Sequence, residues 1–213
     1  MLLYPIHSMI FHNVLDILFS TWSNTAVLRV LQHYSNGITG REISRLAGMN
    51  HRACQKALAT LESIGIIERR RGGRDHLFTL NRSNILVTDG VLPLLAVEQE
   101  FSKKAFAFLA HKLKKQCISI ILFGSVARND ETVASDIDLC LIVDAKKRIP
   151  ATGDVVHSLA EEFRQRFGGN VAPFIITHKE FVRRAKRKQS PVSAIINEGI
   201  VVDGLSLEKL VNG

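Results

Sequence analysis

Residues 123–139 read FGSVARNDETVASDIDL, and this stretch decides the fold of the second half of the chain. The apolar run Cys117–Phe123 leads into it and predicts a buried strand that ends at the turn-forming pair Gly124-Ser125. A second apolar run, Ile137–Val143, predicts another strand that begins inside the quoted stretch. The stretch therefore predicts two strands joined through a turn and a polar segment.

Two carboxylates lie at the start of the second predicted strand. Asp136 and Asp138 are two residues apart, so on a strand they point to the same face with roughly 6.6 Å of rise between them. Neighbouring carboxylates beside a buried strand are unfavourable unless a cation lies between them. A divalent metal ion that carries a phosphate chain would satisfy both, so the pair is a candidate metal site.

The arrangement Gly124-Ser125 followed by Asp136-x-Asp138 resembles the signature of the DNA polymerase β-like nucleotidyltransferases, in particular the minimal, MNT-type branch. The resemblance implies that Gly124 and Ser125 hold a nucleoside triphosphate (NTP), ATP being the expected one. It also implies that Asp136 and Asp138 are catalytic and bind Mg²⁺. Arg128 matches the family's GSxAR run, and its expected partner is a phosphate or, as the favoured alternative, a local carboxylate. MNT-type proteins often act as antitoxins on a neighbouring protein, which implies a protein or nucleic-acid acceptor.

One part of the family pattern is missing. Its third carboxylate belongs near the start of the strand predicted at Val171–Thr177 and falls at about Ala172, and that strand contains no Asp or Glu. His178 and Glu180 follow the strand and are candidate bases in its place. Two functions stay open for this half: an active transferase, or a degenerate domain that senses nucleotide or holds a dimer.

The N-terminal half carries a second pattern. Thr39 and Glu42 form a capping box, Asn50 is placed to cap a further helix, and Gly72-Gly73 marks a turn. Three helices and a basic hairpin resemble a winged helix-turn-helix DNA-binding domain. The predicted elements are helices at Asn24–Tyr34, Thr39–Ala47 and His51–Ile64 and strands at Ile66–Arg70 and His76–Leu80.

The resemblance to a winged helix assigns two sets of DNA-binding residues. A recognition helix places its N-terminal side chains in the major groove, where Arg and Lys suit guanine and Gln suits adenine. A basic hairpin suits phosphates or a narrow minor groove. On the predicted third helix the outward residues are His51, Arg52, Gln55 and Lys56, and the hairpin carries Arg69, Arg70, Arg71 and Arg74. The alternative is that these charges are solvated on a domain that contacts protein.

Between the two halves, Pro93 is expected to break any helix, and Ala96–Gln116 reads as a long amphipathic helix that packs on the second domain or forms a dimer seam. The predicted fold class is α+β. Residues 1–95 are expected to form a winged helix with an N-terminal helical extension. Residues 96–213 are expected to form a nucleotidyltransferase-like domain with a small mixed sheet and a connecting helix.

Composition agrees with an ordinary globular protein. The chain has 213 residues, 46% hydrophobic and 23% charged, and its formal net charge of +8 is compatible with a polyanionic partner. Cys54, Cys117 and Cys140 show neither metal-ligand spacing nor a disulfide framework, so we expect a cytoplasmic protein. The apolar N-terminus lacks the features of a signal peptide or a membrane span.

Two functions follow from the whole sequence. The first is a DNA-binding protein whose minimal nucleotidyltransferase domain binds Mg²⁺ and an NTP and transfers a nucleoside monophosphate to its acceptor. The second is a DNA-binding transcriptional regulator whose nucleotidyltransferase domain is degenerate. Winged-helix proteins frequently bind palindromic DNA as dimers, so a homodimer is expected.

Overall fold

The computed structural model describes residues 12–73 and 75–212 of the chain. It divides into two compact units, Met1–Gln99 and Glu100–Gly213. Both units combine helices with a small sheet, so the predicted α+β class is confirmed. Within the described residues, no helix combines the length and the apolarity that a membrane span requires.

The first unit contains short helices and a three-stranded antiparallel sheet in which β3 is the central strand. The main predicted helices and the hairpin lie within a few residues of their predicted positions. The two-residue strand β1 was not predicted, because so short a segment has no detectable periodicity. The elements are α1 (Val14–Leu18), α2 (Trp22–Leu31), β1 (Ile38–Thr39), α3 (Gly40–Leu46), α4 (His51–Ser63), β2 (Ile67–Gly72) and β3 (Asp75–Leu80).

Side-chain caps determine where α3 and α4 begin. Thr39 Oγ1 accepts a hydrogen bond from the Glu42 backbone N–H at 3.3 Å, and the Glu42 carboxylate accepts one from the Thr39 N–H at 3.2 Å. This is the predicted capping box. Asn50 Oδ1 accepts from the Ala53 N–H at 2.8 Å and so orders the first turn of α4.

The core of the first unit forms where α2, α4 and the sheet meet. Leu28 and Leu31 of α2, Leu58 and Leu61 of α4, and Phe78 of β3 are all buried. Apolar residues at intervals of three and four residues place these side chains on one face of each helix. The opposite face of α4 is left polar and exposed.

The hairpin turn lies one residue later than predicted. Gly72 pairs with Asp75, so the strands end there and the turn falls after Gly72 instead of at the Gly72-Gly73 pair. The difference arises because strand pairing continues past the last apolar residue. Arg74, one of the predicted DNA-binding residues, lies outside the described residues.

The expectation that Pro93 breaks the helix is wrong. Helix α5 runs from Leu92 to Leu113 with Pro93 as its second residue, and a π-helical turn at Val87–Val91 leads directly into it. A proline is tolerated in the first turn of a helix, because the N–H that it lacks has no partner there. The proline therefore marks the start of α5.

The second unit is a four-stranded mixed sheet with helices on both faces. The strand order is β6-β5-β4-β7, in which β5 and β6 are parallel and the other pairs antiparallel, so the predicted small mixed sheet is confirmed. After α5, the elements are β4 (Ser119–Phe123), α6 (Gly124–Arg128), β5 (Ile137–Val143), α7 (Arg148–Phe167), β6 (Val171–Thr177), α8 (His178–Lys186), α9 (Val192–Glu198), β7 (Ile200–Gly204) and α10 (Leu207–Asn212).

Both faces of this sheet are covered by apolar side chains. On β5, Leu141 belongs to a cluster with Phe163 on one face, and Ile142 belongs to a cluster with Phe181 on the other. Strands that are buried on both faces read as continuous apolar runs. This is why β5 has the bounds that the sequence predicted.

Candidate functional site

The residues predicted to bind nucleotide lie together at one edge of the second unit's sheet. β4 ends at Phe123, which pairs with Asp138 near the start of β5. Gly124 and Ser125 follow as the first residues of α6. Because β4 and β5 are antiparallel, the end of one strand meets the start of the other, and Asp136 immediately precedes β5 at this edge.

The Asp138 carboxylate lies directly against the backbone of Gly124. A Cβ atom added to Gly124 would be 3.0 Å from Asp138 Cγ and would overlap its Oδ2. Gly124 also has φ +73°, a left-handed conformation that other residues rarely adopt. Glycine is therefore required here for two separate reasons, the left-handed backbone and the close approach of the Asp138 carboxylate.

The electrostatics of the site favour a cation. Burial raises the pKa of the half-buried Asp138 carboxyl, the negative charge of Asp136 raises it further, and Arg128 lowers it. Asp136 itself is exposed. The positive charge of Arg128 does not outweigh burial and the neighbouring carboxylate, so a cation placed between the two aspartates would be stabilised.

The short helix α6 adds backbone donors to this edge. No described side chain caps its first turn, so N–H groups at Gly124 and Ser125 are left without the usual side-chain acceptor. Uncapped N–H groups at a helix start suit phosphate oxygens.

Arg128, at the end of α6, is engaged by two carboxylates. Its Nε lies 3.0 Å from Asp130 Oδ2, and its Nη1 lies 2.8 Å from Glu198 Oε1 at the end of α9. The local-carboxylate alternative is therefore the one present in the structure, while a phosphate contact stays a prediction. Glu198 was missed from the sequence because it lies 70 residues away from Arg128.

The position expected for a third carboxylate is held by alanine. Ala172 of β6 is in register with Asp138 of β5, on the neighbouring parallel strand. Asp144, at the far end of β5, pairs instead with Arg148 at 3.1 Å. Among residues 12–73 and 75–212, no cluster of three or more His, Cys, Asp or Glu is arranged to hold a metal ion. A metal ion at Asp136 and Asp138 would need further ligands from the nucleotide.

The two candidate bases are placed wrongly for this site. His178 and Glu180 follow Thr177, the last residue of β6, whereas Asp138 lies near the opposite end of the sheet, roughly 16 Å away along the strand direction. His178 Nε2 lies 2.8 Å from the Leu210 carbonyl oxygen, and Glu180 pairs with two arginines of its own helix. Both side chains stabilise local structure.

The outward residues of α4 form a polar surface in the first unit. The predicted residues of this surface are His51, Arg52, Gln55 and Lys56. All four are exposed, and they occupy the part of the helix that follows the Asn50 cap.

The arginines of the hairpin differ in their surroundings. Arg69 Nε lies 3.0 Å from Glu62 Oε1 of α4, and Arg70 donates a hydrogen bond to the Asn36 carbonyl oxygen. These two side chains hold the hairpin against the rest of the unit. Arg71 is exposed on β2. Arg69, Arg70 and Arg71 are therefore not equivalent, although the sequence analysis placed them in one set of DNA-binding residues.

A polar cleft of about 470 Å³ lies between the starts of α3 and α4 and the hairpin. His51, Gln55 and Arg69 of the predicted set line it, and so do Arg41 and His76. The last two were missed because they come from other elements and carry no local signal in the sequence. The cleft brings residues of the helix surface and of the hairpin together.

Comparison with protein families identifies the second unit. Residues 102–202 match the nucleotidyltransferase domain family, a range that starts in α5, ends in β7 and includes the edge at Gly124 and Asp138. The chain therefore contains a nucleotidyltransferase domain. No curated protein is significantly similar to the chain.

Three solved structures show weak similarity. The PcaV transcriptional regulator from Streptomyces coelicolor, in complex with its natural ligand, is 17% identical, with a TM-score of 0.31 over 45% of this chain and 74% of that one. A toxin-antitoxin with AMP-PNP is 16% identical, with a TM-score of 0.34 over 50% and 81%. The archaeal chromatin protein TrmBL2 is 15% identical, with a TM-score of 0.27 over 86% and 73%. Similarities at these TM-scores are too weak to assign a fold or a function to this chain.

Proposed function

We propose that the nucleotidyltransferase domain binds an NTP together with Mg²⁺ at the sheet edge formed by Gly124, Ser125, Asp136 and Asp138. The observation that best supports this is the packing of the Asp138 carboxylate on Gly124. It puts an acidic ligand at the turn where the family resemblance expects the triphosphate. ATP is the expected nucleotide.

The residues present fit Mg²⁺. Two carboxylates supply the hard oxygen ligands that Mg²⁺ prefers, and phosphate oxygens and water commonly complete its coordination. The raised pKa of Asp138 also means that its charged form gains from a cation nearby. When bound, Mg²⁺ neutralises charge on the phosphates.

Two uses of such a site are proposed. In the first, an acceptor hydroxyl or phosphate oxygen of a protein or nucleic acid attacks the α-phosphorus. An O–P bond to the acceptor forms, the α–β phosphoanhydride bond breaks, and pyrophosphate leaves. In the second, the domain binds the nucleotide without transfer and reports its presence. Ala172 beside Asp138 favours the second use, because in-line attack normally gains from a further carboxylate.

Nucleotide binding is tested first. We expect calorimetric titration with ATP, GTP, CTP and UTP to show Mg²⁺-dependent binding, and Asp136→Asn with Asp138→Asn to abolish it. Asp154→Asn, an exposed carboxylate on α7, is the control for loss of charge alone. If the double variant binds as the unchanged protein does, the site is assigned to the wrong residues.

Restoring a carboxylate at the position of the missing one distinguishes an active transferase from a nucleotide sensor. Ala172→Asp places one in register with Asp138, whereas Thr177→Asp places one at the other end of the same strand, where Asp is an acceptable helix cap. If the missing carboxylate limits transfer, release of labelled pyrophosphate from γ-labelled NTP rises only in Ala172→Asp. Equal release by all three proteins would show that transfer does not depend on this position.

We propose that the first unit binds double-stranded DNA as a winged helix. Its support is the exposed polar face of α4, capped at Asn50, beside a hairpin with further basic residues. In this arrangement Arg52 and Gln55 contact bases, and Arg71 contacts phosphate. Together with the second unit, this describes a DNA-binding regulator that responds to a nucleotide, or an antitoxin-like transferase that binds DNA.

The DNA proposal predicts two kinds of defect. Arg52→Ala with Gln55→Ala should lower the affinity for a selected duplex by roughly tenfold or more and leave binding to random DNA nearly unchanged. Arg71→Ala should weaken binding to the selected duplex and to random DNA. It should also reduce the slope of log affinity against log salt concentration by about one. Binding isotherms at several salt concentrations distinguish them. An affinity that is equal for all duplexes and insensitive to these changes would favour a protein-binding module.

A further inference from the structure

One edge of the sheet in the second unit is open. In the strand order β6-β5-β4-β7, β6 has β5 as its only neighbouring strand among the residues that the structure describes. The Asn170 carbonyl oxygen accepts a hydrogen bond from the Ile137 N–H at 2.8 Å, which fixes the direction of the backbone groups along β6. Because these groups alternate in direction along a strand, those of Pro173, Ile175 and Thr177 point away from β5. They are therefore available to a further strand.

This edge has little of the usual protection against strand addition. Natural edge strands carry charged side chains, bulges or prolines that prevent pairing with another chain. At the other edge of the sheet, β7 has an acidic residue, Asp203, and a register shift against β4 between Ile120 and Ile121. β6 reads VAPFIIT, so it has no charged residue, and Pro173 interrupts only its first half. The second half, Phe174–Thr177, is open to pairing.

A groove of about 370 Å³ follows the open half of β6. Phe174–Thr177 form its floor. One wall comes from Ile149 of α7 and from Lys146, which precedes that helix, and the other comes from Glu180 and Arg184 of α8. Because α7 and α8 cover opposite faces of the sheet, the groove lies between the two helical layers, where a further strand would continue the sheet.

The charges around the groove are mainly positive. Among the described residues that line it, Glu180 is the only carboxylate, and Arg183 and Arg184 share it at 2.7 and 2.8 Å. Two arginines and one glutamate leave one positive charge in excess, and the exposed side chains of Lys146 and Lys147 add to it. A second copy of the chain paired through β6 would bring like charges together, whereas an acidic partner would be attracted.

We propose that the open half of β6 binds an extended acidic segment of a partner protein, which adds to the sheet as a further strand. The backbone groups of Ile175 and Thr177 pair with the main chain of the segment, and its carboxylates face Lys146. Its apolar side chains contact the groove between α7 and α8. Asp138 is in register with Ala172, before the open half of β6, so the proposal does not depend on the nucleotide site.

The chemistry of the segment is tested with labelled decapeptides and the full chain. We expect fluorescence anisotropy to show saturable binding of a peptide of alternating Glu and Val. A peptide of alternating Lys and Val should bind roughly tenfold or more weakly, because its charges repel those around the groove. A fully N-methylated copy of the acidic peptide should be weakened by a similar factor, because it keeps the carboxylates but lacks every main-chain donor. No binding of the acidic peptide, or equal binding of its N-methylated copy, would overturn the proposal.

The place of binding is tested with a matched pair of charge reversals. Lys146→Glu should raise the dissociation constant of the acidic peptide by roughly fivefold or more. Lys104→Glu, at an exposed lysine of α5 outside the groove lining, is the control and should leave it unchanged. The bound peptide should also slow hydrogen exchange of the Ile175 N–H. Equal weakening by both changes, or exchange at Ile175 that the peptide does not alter, would contradict strand addition at β6.

Two other occupants of this edge give different results. If Lys146→Glu weakens binding of a short oligothymidylate but not of the peptide, the groove is a nucleic-acid site. If sedimentation velocity shows a dimer whose Ile175 N–H is protected before any peptide is added, a second copy occupies the edge. Either result would overturn the assignment to an acidic partner.

Discussion

Replacement of Gly124 by alanine tests whether nucleotide binding depends on the close approach of the Asp138 carboxylate to the Gly124 backbone. The backbone at Gly124 has φ +73°, and holding an alanine in this left-handed region costs about 1–2 kcal/mol. The added Cβ also overlaps Asp138 Oδ2 and lies 3.0 Å from its Cγ, so the carboxylate has to move by about 1 Å to reach ordinary contact distance. In catalysis, misplacement of a group by about 1 Å can lower the reaction rate on the order of 100-fold. We therefore expect a clear loss of nucleotide affinity when the Asp138 carboxylate is displaced.

A second glycine separates the two effects. Gly168, which follows α7, has φ +75°, and nothing lies within 4 Å of a Cβ added there. Gly168→Ala therefore has the same backbone strain without the collision with Asp138. We expect denaturant unfolding to show a loss of about 1–2 kcal/mol in both variants.

Only Gly124→Ala is expected to lose nucleotide affinity. Calorimetric titration with Mg²⁺ and ATP should give a dissociation constant raised by roughly tenfold or more in Gly124→Ala and unchanged in Gly168→Ala. The reasoning is refuted if both variants bind the nucleotide equally well. It is also refuted if Gly124→Ala is no less stable than the unchanged protein.

Three further changes test the fold. Phe163→Ala, at a fully buried residue, should lower the free energy of unfolding by about 3–5 kcal/mol in denaturant titration. Asn50→Ala removes the cap of α4 and should cost about 1 kcal/mol and weaken binding to DNA in the same preparation. Hydrogen bonds from Arg29 lower the pKa of Glu98, so Glu98→Gln should cost about 0.5 kcal/mol at neutral pH, small because the pair is exposed. That cost should disappear as the pH falls below the ordinary range of a Glu carboxyl and through the lowered pKa of Glu98 in the folded protein, because the unchanged protein then also loses the charge.

The sequence predicted most elements because their signals are local. The strands Ile137–Val143 and Val171–Thr177 were predicted with their observed bounds, since each is a continuous apolar run closed by polar or turn residues. The capping box at Thr39 and the cap at Asn50 were likewise predicted, because a cap involves residues three apart. Pro93 was misjudged, because its effect depends on whether it falls in the first turn of the helix or in its interior.

Contacts between residues far apart in the chain could not be predicted from sequence patterns. The salt bridge between Arg128 and Glu198 joins residues 70 apart in the sequence. The salt bridge between Glu62 and Arg69 depends on how the hairpin packs on α4. The candidate bases His178 and Glu180 are close to Ala172 in the sequence but lie at the far end of the strand. Strand direction and register set those distances.

The sequence by itself determined the order and kind of the elements, the turn at Gly124 and the carboxylates beside it. These features depend on residues near one another in the chain, where spacing and side-chain type decide the local conformation. Only the tertiary structure decided that Ala172 lies in register with Asp138 and that the Asp138 carboxylate rests on Gly124. Register, burial and exposure arise from packing among segments far apart in sequence, so no local pattern contains them.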